Sequence, residues 1–254
     1  MHRRSLPLWI LPLTACLACR SGTSDAEQKQ QNLIEAIETL GEETPDPVAA
    51  VETRPTLQGE RHFAFDDAIG APALPDGWRV EATNPGPSAA LWRITADETA
   101  PSAPGALCLV DPNGATGQTY NLCWNEDLHA GDLSLEVAVR SGSGEEDQGG
   151  GPAWRIQDAD NYYVARWNPL EDNFRVYFVY EGRRGQLASA DVDLDPDTWH
   201  TIRIEHRGAL IRCWLDDELL LRVSDTSHLT PGGVGLWTKA DAATAFDDLH
   251  VVGG

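Results

Sequence analysis

The stretch HTIRIEHRGALIRCWLDDELLLRV, residues 200–223, decides the fold. Apolar and polar side chains alternate along it, with Ile202 and Ile204 on one side of the chain. The pairs Arg207-Gly208 and Asp216-Asp217 interrupt the alternation with turn signals. Alternation with a period of two is typical of half-buried strands, and short polar breaks join antiparallel neighbours. The stretch therefore predicts three consecutive antiparallel strands, over residues 200–206, 210–215 and 219–223.

Short apolar runs separated by turn signals continue on both sides of this stretch. Further strands are predicted over residues 134–140, 162–167, 174–180, 186–192, 234–238 and 246–252. Turn signals such as Asn168-Pro169 and Glu181-Gly182 separate them, and no helical pattern of normal length intervenes after residue 59. About a dozen short strands at this spacing are typical of a sandwich, and a jelly roll leaves few edges open. We therefore predict an all-β jelly-roll β-sandwich of two antiparallel sheets.

The N-terminus has the layout of an export signal. Arg3 and Arg4 precede the apolar residues 6–13, a run too short to span a bilayer. The quartet Leu13-Thr14-Ala15-Cys16 resembles a bacterial lipobox, which predicts cleavage after residue 15 and lipidation of Cys16. The alternative is an ordinary signal peptide cut near Ala18. A lipidated chain is expected to be a membrane-anchored lipoprotein of the bacterial cell envelope, at the outer membrane or the periplasmic face.

Two segments separate the signal from the sandwich. Residues 24–40 have a helical pattern that begins with a capping box of Ser24 and Glu27 and ends at Gly41. Residues 42–58 are rich in proline and acids, which predicts a flexible linker. The predicted domains are a signal peptide at 1–15, a short helix and linker at 16–58, and the β-sandwich at 59–254.

The chain is strongly acidic, with a formal net charge of −21 at pH 7. Such a field repels phosphate backbones and anionic lipid heads. We therefore expect no nucleic-acid partner, contact with the membrane only through the lipid anchor, and ligands that are neutral or cationic.

Two cysteines flank the turn-rich residues 111–117. In a hairpin, Cys108 and Cys123 would lie opposite one another and close enough to form a disulfide. The alternative is a pair of reduced thiols on neighbouring strands. Cys213 alternates with Ile211 and Leu215 and is predicted to be a small buried apolar residue.

Several segments carry a resemblance to a known family. They are residues 144–151, 154–155, 158–164, 166, 168–171, 198–200, 235–241 and 246–249. Together they resemble the concanavalin A-like and laminin-G-like domains of bacterial lipoproteins, which are related to 3-keto-disaccharide hydrolase domains and more distantly to family 16 glycoside hydrolases. The resemblance covers about residues 60–254. It implies a concanavalin A-like jelly roll, a sandwich that hosts lectins, hydrolases and adhesion modules alike.

Glycoside hydrolysis normally needs a pair of carboxylates. Family 16 enzymes carry theirs on one strand as Glu-x-Asp-x-x-Glu, and this sequence contains no such arrangement. The nearest acid cluster is Glu145, Glu146 and Asp147, in a glycine-rich loop. It is a candidate catalytic set, and the alternative is a solvated turn.

A set of aromatic, cationic and amide residues suits the concave sheet of such a sandwich. Aromatic faces pack against the apolar side of a sugar ring, and planar donors bind paired hydroxyls. The candidate ligand-binding residues are Trp154, Arg155, Tyr163, Arg166, Asn168, Glu171, Trp237 and Lys239. The alternative places the aromatic residues in the core and makes Arg166 and Glu171 a structural ion pair.

The resemblance also implies a structural calcium ion. By resemblance, Asp247 matches the aspartate that such domains carry on their final strand, and Asp66 or Asp67 is its nearest partner near the first strand. Oxygen ligands and an acidic chain suit calcium. The alternative is a pair of exposed strand-end acids. The histidines show no spacing typical of a zinc site.

These observations favour a lipid-anchored surface module that binds carbohydrate or another glycan through the concave sheet. One alternative is a hydrolase acting on 3-keto or otherwise modified glycosides. A second is an adhesion module that binds protein. No cofactor is expected beyond the calcium ion.

Overall fold

The computed structural model describes residues 54–254. The predicted signal peptide, the lipidation site at Cys16, the helix over 24–40 and most of the linker lie outside the described residues. Within residues 54–254 every regular element is a strand. No helix in that part of the chain is long and apolar enough to cross a membrane.

Fifteen strands lie within the described residues, most of them joined by short turns. They are β1 (Gly59–Phe63), β2 (Trp78–Thr83), β3 (Leu91–Ala96), β4 (Gly105–Asp111), β5 (Tyr120–Ala130), β6 (Leu133–Ser141), β7 (Gly151–Asp158), β8 (Asn161–Asn168), β9 (Asn173–Tyr180), β10 (Arg183–Asp191), β11 (His200–Arg207), β12 (Leu210–Leu215), β13 (Glu218–Ser224), β14 (Gly232–Lys239) and β15 (Thr244–Gly253). The three strands predicted over residues 200–223 are β11, β12 and β13. Ile202 pairs with Leu215 across the first of their turns.

The strands form two antiparallel sheets. One is eight-stranded, in the order β13-β12-β11-β6-β15-β4-β3, with β1 also paired to β15. The other is seven-stranded, in the order β10-β9-β8-β7-β14-β5-β2. The predicted jelly-roll sandwich of two antiparallel sheets is confirmed.

The main core lies between the two sheets. Leu135 and Ile204, a cross-strand pair of the eight-stranded sheet, belong to the same buried cluster as Trp154 and Tyr163 of the seven-stranded sheet. Each buried apolar side chain contributes about 25 cal/mol per Å² removed from water. The alternation seen in the sequence therefore directs one face of each sheet into this core.

A second buried cluster covers the outer face of the seven-stranded sheet. Its members are Tyr120, Leu122, Trp124, Ala153, Ile156, Tyr162, Val164, Tyr177, Val179 and Trp237. At one end of this face, the end of edge strand β2 contacts turns that lie farther across the sheet. The Thr83 hydroxyl, at the end of edge strand β2, donates to the carbonyl of Ala159. Asn84 Nδ2 donates to the carbonyl of Gly182, in the turn between β9 and β10, at 3.1 Å.

The structure corrects the prediction for Cys108 and Cys123. Cys108 lies on β4 of the eight-stranded sheet, and Cys123 lies on β5 of the seven-stranded sheet. The turn-rich segment between them crosses from one sheet to the other, so it is not a hairpin. Both thiols are free, and the predicted disulfide is wrong. Cys213 is fully buried in the core, as expected.

Candidate functional site

Two of the aromatic residues predicted to bind ligand lie in the core instead. Trp154 and Tyr163 are fully buried between the sheets. Their rings stack with centroids 5.7 Å apart, and Trp154 Nε1 donates to His206 Nδ1 at 2.9 Å. The prediction that these two side chains line the ligand surface is therefore wrong.

Arg155 holds loops together at one end of the sandwich. It is buried and has a φ of 48°, in the left-handed region. Its Nε donates to the carbonyl of Gly131 at 3.0 Å, and its Nη1 donates to the carbonyl of His228 at 2.9 Å. Because these contacts occupy the guanidinium, Arg155 is a structural residue rather than part of a ligand site.

The remaining polar residues converge at the end of the outer face where β14 and β8 finish. Asp147 accepts hydrogen bonds from Arg166 Nη1 at 3.0 Å, Lys239 Nζ at 3.0 Å and Asn168 Nδ2 at 3.2 Å. Arg166 Nη2 also donates to Glu171 at 2.8 Å. We call these five residues the Asp147 cluster. Four of them were predicted as ligand-binding residues, and the fifth, Asp147, belonged to the candidate catalytic acids.

Burial and charge set the protonation of this cluster. Burial raises the pKa of Asp147, against the opposing effect of the Arg166 and Lys239 charges. Burial also acts to raise the pKa of Glu171, but hydrogen bonds from Asn173 and Arg166 outweigh it and leave that pKa below its usual value. The side chains of Lys239 and Glu171 are 13% and 42% exposed, whereas that of Arg166 is 1% exposed. Asp147 and Arg166 thus form the buried floor of the cluster, and Lys239 and Glu171 form its accessible rim.

Glu145 and Glu146, the other two acids of the glycine-rich loop, make contacts that hold the loop in place and do not join the cluster. Glu146 accepts a hydrogen bond from the backbone N–H of Gly117 at 2.7 Å. The backbone N–H groups of Glu145, Glu146 and Asp147 donate to Asp241 at 2.6, 3.0 and 3.1 Å. These contacts brace the loop and place Asp147 over the sheet. Only Asp147 of the three acids enters the cluster.

The aromatic part of the outer face includes Trp237 and several residues that the sequence analysis missed. The Arg184 guanidinium lies over the rings of Tyr177, Tyr120 and Trp237, at 4.3, 5.1 and 5.8 Å from their centroids. Tyr162 accepts a hydrogen bond from Trp237 Nε1 at 3.0 Å. All of these rings are buried, so the centre of the face is packed rather than open.

A cavity of about 280 Å³ opens at the opposite end of the same face. Trp124 and Arg79, a cross-strand pair of β5 and β2, line it. Arg79 Nε lies 2.7 Å from Glu126, which also lines the cavity. The Trp124 ring lies against Gly233, where an added Cβ would come within 2.4 Å of the ring. The packed centre therefore separates this cavity from the Asp147 cluster.

The predicted calcium residues are occupied by other contacts. Asp247 is fully buried, and both of its oxygens accept hydrogen bonds from Ser102 at 2.8–2.9 Å. Asp66 accepts the backbone N–H of Gly105 at 3.0 Å. Within residues 54–254 no group of three or more metal-ligating side chains is close enough to hold a metal ion. Hydrogen-bond donors directed at both oxygens of Asp247 do not fit a calcium ion at this position.

Comparison with known proteins identifies the family. The model of the 3-keto-alpha-glucoside-1,2-lyase-like domain family matches residues 74–252. The chain belongs to this family. Every residue of the Asp147 cluster lies inside the matched part. No curated protein matches the chain in sequence.

Solved structures share the fold of this family member at low sequence identity. The carbohydrate binding module CBM66 from Bacillus subtilis is 17% identical with a TM-score of 0.53, covering 77% of this chain and 98% of its own. The Bacillus licheniformis beta-glucanase is 11% identical with a TM-score of 0.54, covering 78% and 100%. The cellulose induced protein Cip1 is 14% identical with a TM-score of 0.54, covering 76% and 97%. These likenesses establish the sandwich and carry no site residue across.

Proposed function

We propose that this protein binds carbohydrate at the Asp147 cluster, on the outer face of the seven-stranded sheet. The observation that carries the proposal is the convergence of Arg166 and Lys239 on one fully buried carboxylate, with Glu171 bound to the other side of Arg166. Arg175 Nη1 extends the rim, because it donates to Glu171 at 2.9 Å. Hydroxyl groups of a sugar pair well with planar donors and acceptors whose positions are already set.

The geometry favours binding over bond cleavage. A general base needs a free lone pair within reach of the proton that it removes. Asp147 is poorly placed for this role, because it is fully buried and both of its oxygens already accept hydrogen bonds, Oδ2 from Arg166 and Lys239 and Oδ1 from Asn168. Asp147 is therefore a positioning residue, which fixes the ammonium of Lys239 and the guanidinium of Arg166 toward the rim.

Titration calorimetry on the full-length chain tests the proposal, with ligands taken from a glycan array. Lys239→Met and Glu171→Gln each remove one rim group, and we expect each to weaken saccharide binding about tenfold, or about 1.4 kcal/mol. Glu218→Gln, an exposed position on β13 of the other sheet, is the matched control and leaves binding unchanged. Full-strength binding by both rim variants, or no saccharide retained by the native chain, refutes the proposed site.

Membership of the family favours a second candidate function, cleavage of a 3-keto-glucoside. In a 1,2-elimination a base removes the C2 proton, which the 3-keto group acidifies, while the C1–O bond breaks and its oxygen leaves. Glu171, the accessible carboxylate of the cluster, would take the C2 proton, and the ammonium of Lys239 would give a proton to the leaving oxygen, which departs as an alcohol. Release of the leaving alcohol from a 3-keto-glucoside, lost in Glu171→Gln, identifies the enzyme. Saturable binding without any release supports the binding function alone.

We also propose that the chain is anchored in the cell envelope by a lipid on Cys16. The support is the quartet Leu13-Thr14-Ala15-Cys16 after a short apolar run. Metabolic labelling with a tagged fatty acid tests it, since the native chain incorporates the label and Cys16→Ala does not. Cys19→Ala, three residues away, is the matched control. Equal labelling of the native chain and Cys16→Ala contradicts the anchor.

A further inference from the structure

A hollow of about 320 Å³ lies at the side of the sandwich, where the sheets end in β2 and β3. Three aromatic residues and three aspartates line it: Phe63, Phe65, Trp78, Asp66, Asp67 and Asp76. We call it the edge hollow. It faces away from the outer surface that carries the Asp147 cluster, because Trp78 packs against the core between the sheets.

The apolar wall of the edge hollow is aromatic. The centroids of Phe63 and Trp78 are 5.4 Å apart with an interplanar angle of 84°, and those of Phe65 and Trp78 are 5.5 Å apart at 62°. Edge-to-face packing of this kind holds the rings at fixed angles to one another. Phe63 and Trp78 are only partly buried, so parts of both rings face the hollow.

The polar wall is anionic. Asp66, Asp67 and Asp76 line the hollow, and His62 is the other ionisable residue there. Among the described residues no lysine or arginine forms an ion pair with any of the three aspartates. The hollow therefore combines aromatic rings with carboxylates that carry no internal counter-charge.

This arrangement suits a large, diffuse cation better than a metal ion. A metal ion needs three or more ligands directed at one point, and residues 54–254 contain no such group. An ammonium with an apolar body instead gains from ring faces and from carboxylates spread around it. The volume of the hollow is at the lower end of the range for small-molecule pockets.

We propose that the edge hollow binds a small organic cation, an amine or quaternary ammonium group that carries apolar carbon. The rings of Phe63 and Trp78 contact its apolar part, and Asp67 and Asp76 supply the charge. The inference does not rest on carbohydrate binding, because the two sites share no residue.

Choline and its uncharged isostere 3,3-dimethylbutan-1-ol test the proposal as probes of the full-length chain. Titration followed by NMR shift or tryptophan fluorescence measures both. We expect saturable choline binding, and binding of the alcohol that is at least about tenfold weaker because it lacks the charge. No saturable choline binding, or equal affinity for both probes, overturns the proposal.

Variants locate the site. Asp67→Asn with Asp76→Asn removes two exposed charges without touching the core, and we expect choline binding to weaken about fivefold to tenfold. Asp193→Asn with Asp197→Asn, exposed elsewhere, is the matched control. Phe63→Leu keeps an apolar side chain but removes a ring, and it weakens choline binding more than alcohol binding. Calcium chloride that displaced choline at equal concentration would identify a simple cation site and contradict the proposal.

Discussion

Both faces of the seven-stranded sheet carry buried aromatic side chains, but the groups that these rings contact differ. On the inner face, Trp154 and Tyr163 stack beneath the other sheet and meet the neutral ring of His206. On the outer face, Tyr120 and Trp237 pack around a charged guanidinium and lead to the Asp147 cluster. Aromatic content therefore does not distinguish the core from a binding surface in this protein. The presence of charged side chains beside the rings does distinguish the two, because a charged side chain is stable only where opposite charges or water compensate it.

Truncation of the inner face is expected to have the largest effect. Trp154→Ala removes a fully buried ring and leaves His206 Nδ1 without its donor. We expect a loss of about 4 kcal/mol in the free energy of unfolding, measured by denaturant titration. Trp154→Phe, which keeps most of the volume, is the control and loses less. A small loss in Trp154→Ala would mean that the inner face is less well packed than its contacts indicate.

The corresponding test of the outer face breaks a buried ion pair. Arg166→Met leaves Asp147 with Lys239 as its remaining cationic partner, and we expect a loss of about 3 kcal/mol. Asp147→Asn in the same chain removes the carboxylate charge that has lost one of its two cationic partners, so the double variant is more stable than the sum of the two single changes predicts. Strict additivity in this double-mutant cycle would contradict the coupling of the two groups.

The pH dependence of the free energy of unfolding tests the contact of His206 with the inner face. Burial, with the nearby charge of Arg155, lowers the pKa of His206 to about 4. The unfolded chain, with the usual histidine pKa of about 6.5, then binds more protons between these values. Protonation of the unfolded chain therefore favours unfolding as the pH falls below about 6.5. We expect His206 to lower the free energy of unfolding by about 2 kcal/mol between pH 7 and pH 5. Urea titrations of the native chain and His206→Gln measure it, and equal pH slopes for both would exclude His206 as the source.

The smallest effect is expected at Arg184. Its guanidinium lies over three rings of the outer face, and cation–π contacts of this kind contribute about 1 kcal/mol. Arg184→Met is therefore expected to lower stability by about that amount in thermal unfolding. Arg183→Met, at the exposed neighbouring position, is the matched control. If Arg184→Met lowered stability no more than Arg183→Met, the Arg184 guanidinium would not stabilise the packing of the outer face.

Parity along the strands explains which site predictions failed. Tyr163 and Arg166 are three residues apart on β8, so a regular strand directs them to opposite faces. The sequence therefore contained a signal that Tyr163 and the Arg166–Asn168 pair do not share a surface, and that Tyr162 shares it with them. Tyr120, Tyr177 and Arg184 could not be found in this way, because their strands join the site only through the order of the sheet.

The prediction for Cys108 and Cys123 failed for a related reason. Two strands joined by a turn-rich segment are most simply a hairpin, and nothing local distinguishes a hairpin from a crossing between sheets. Here β4 pairs with β3 and β15, and β5 pairs with β2 and β14. Apart from β3, which directly precedes β4, these pairing partners lie far away in the sequence.

Local patterning was sufficient for the sandwich itself. Alternation and turn spacing depend on neighbours within a few residues, so they identified the strands of residues 200–223 and the buried position of Cys213 directly. The surfaces were decided at longer range. Whether an aromatic ring becomes core or lines a site depends on which face of the sheet it occupies and on which strands lie beside it. The meeting of Asp147 with Arg166 and Lys239 likewise depends on pairing between strands distant in the chain.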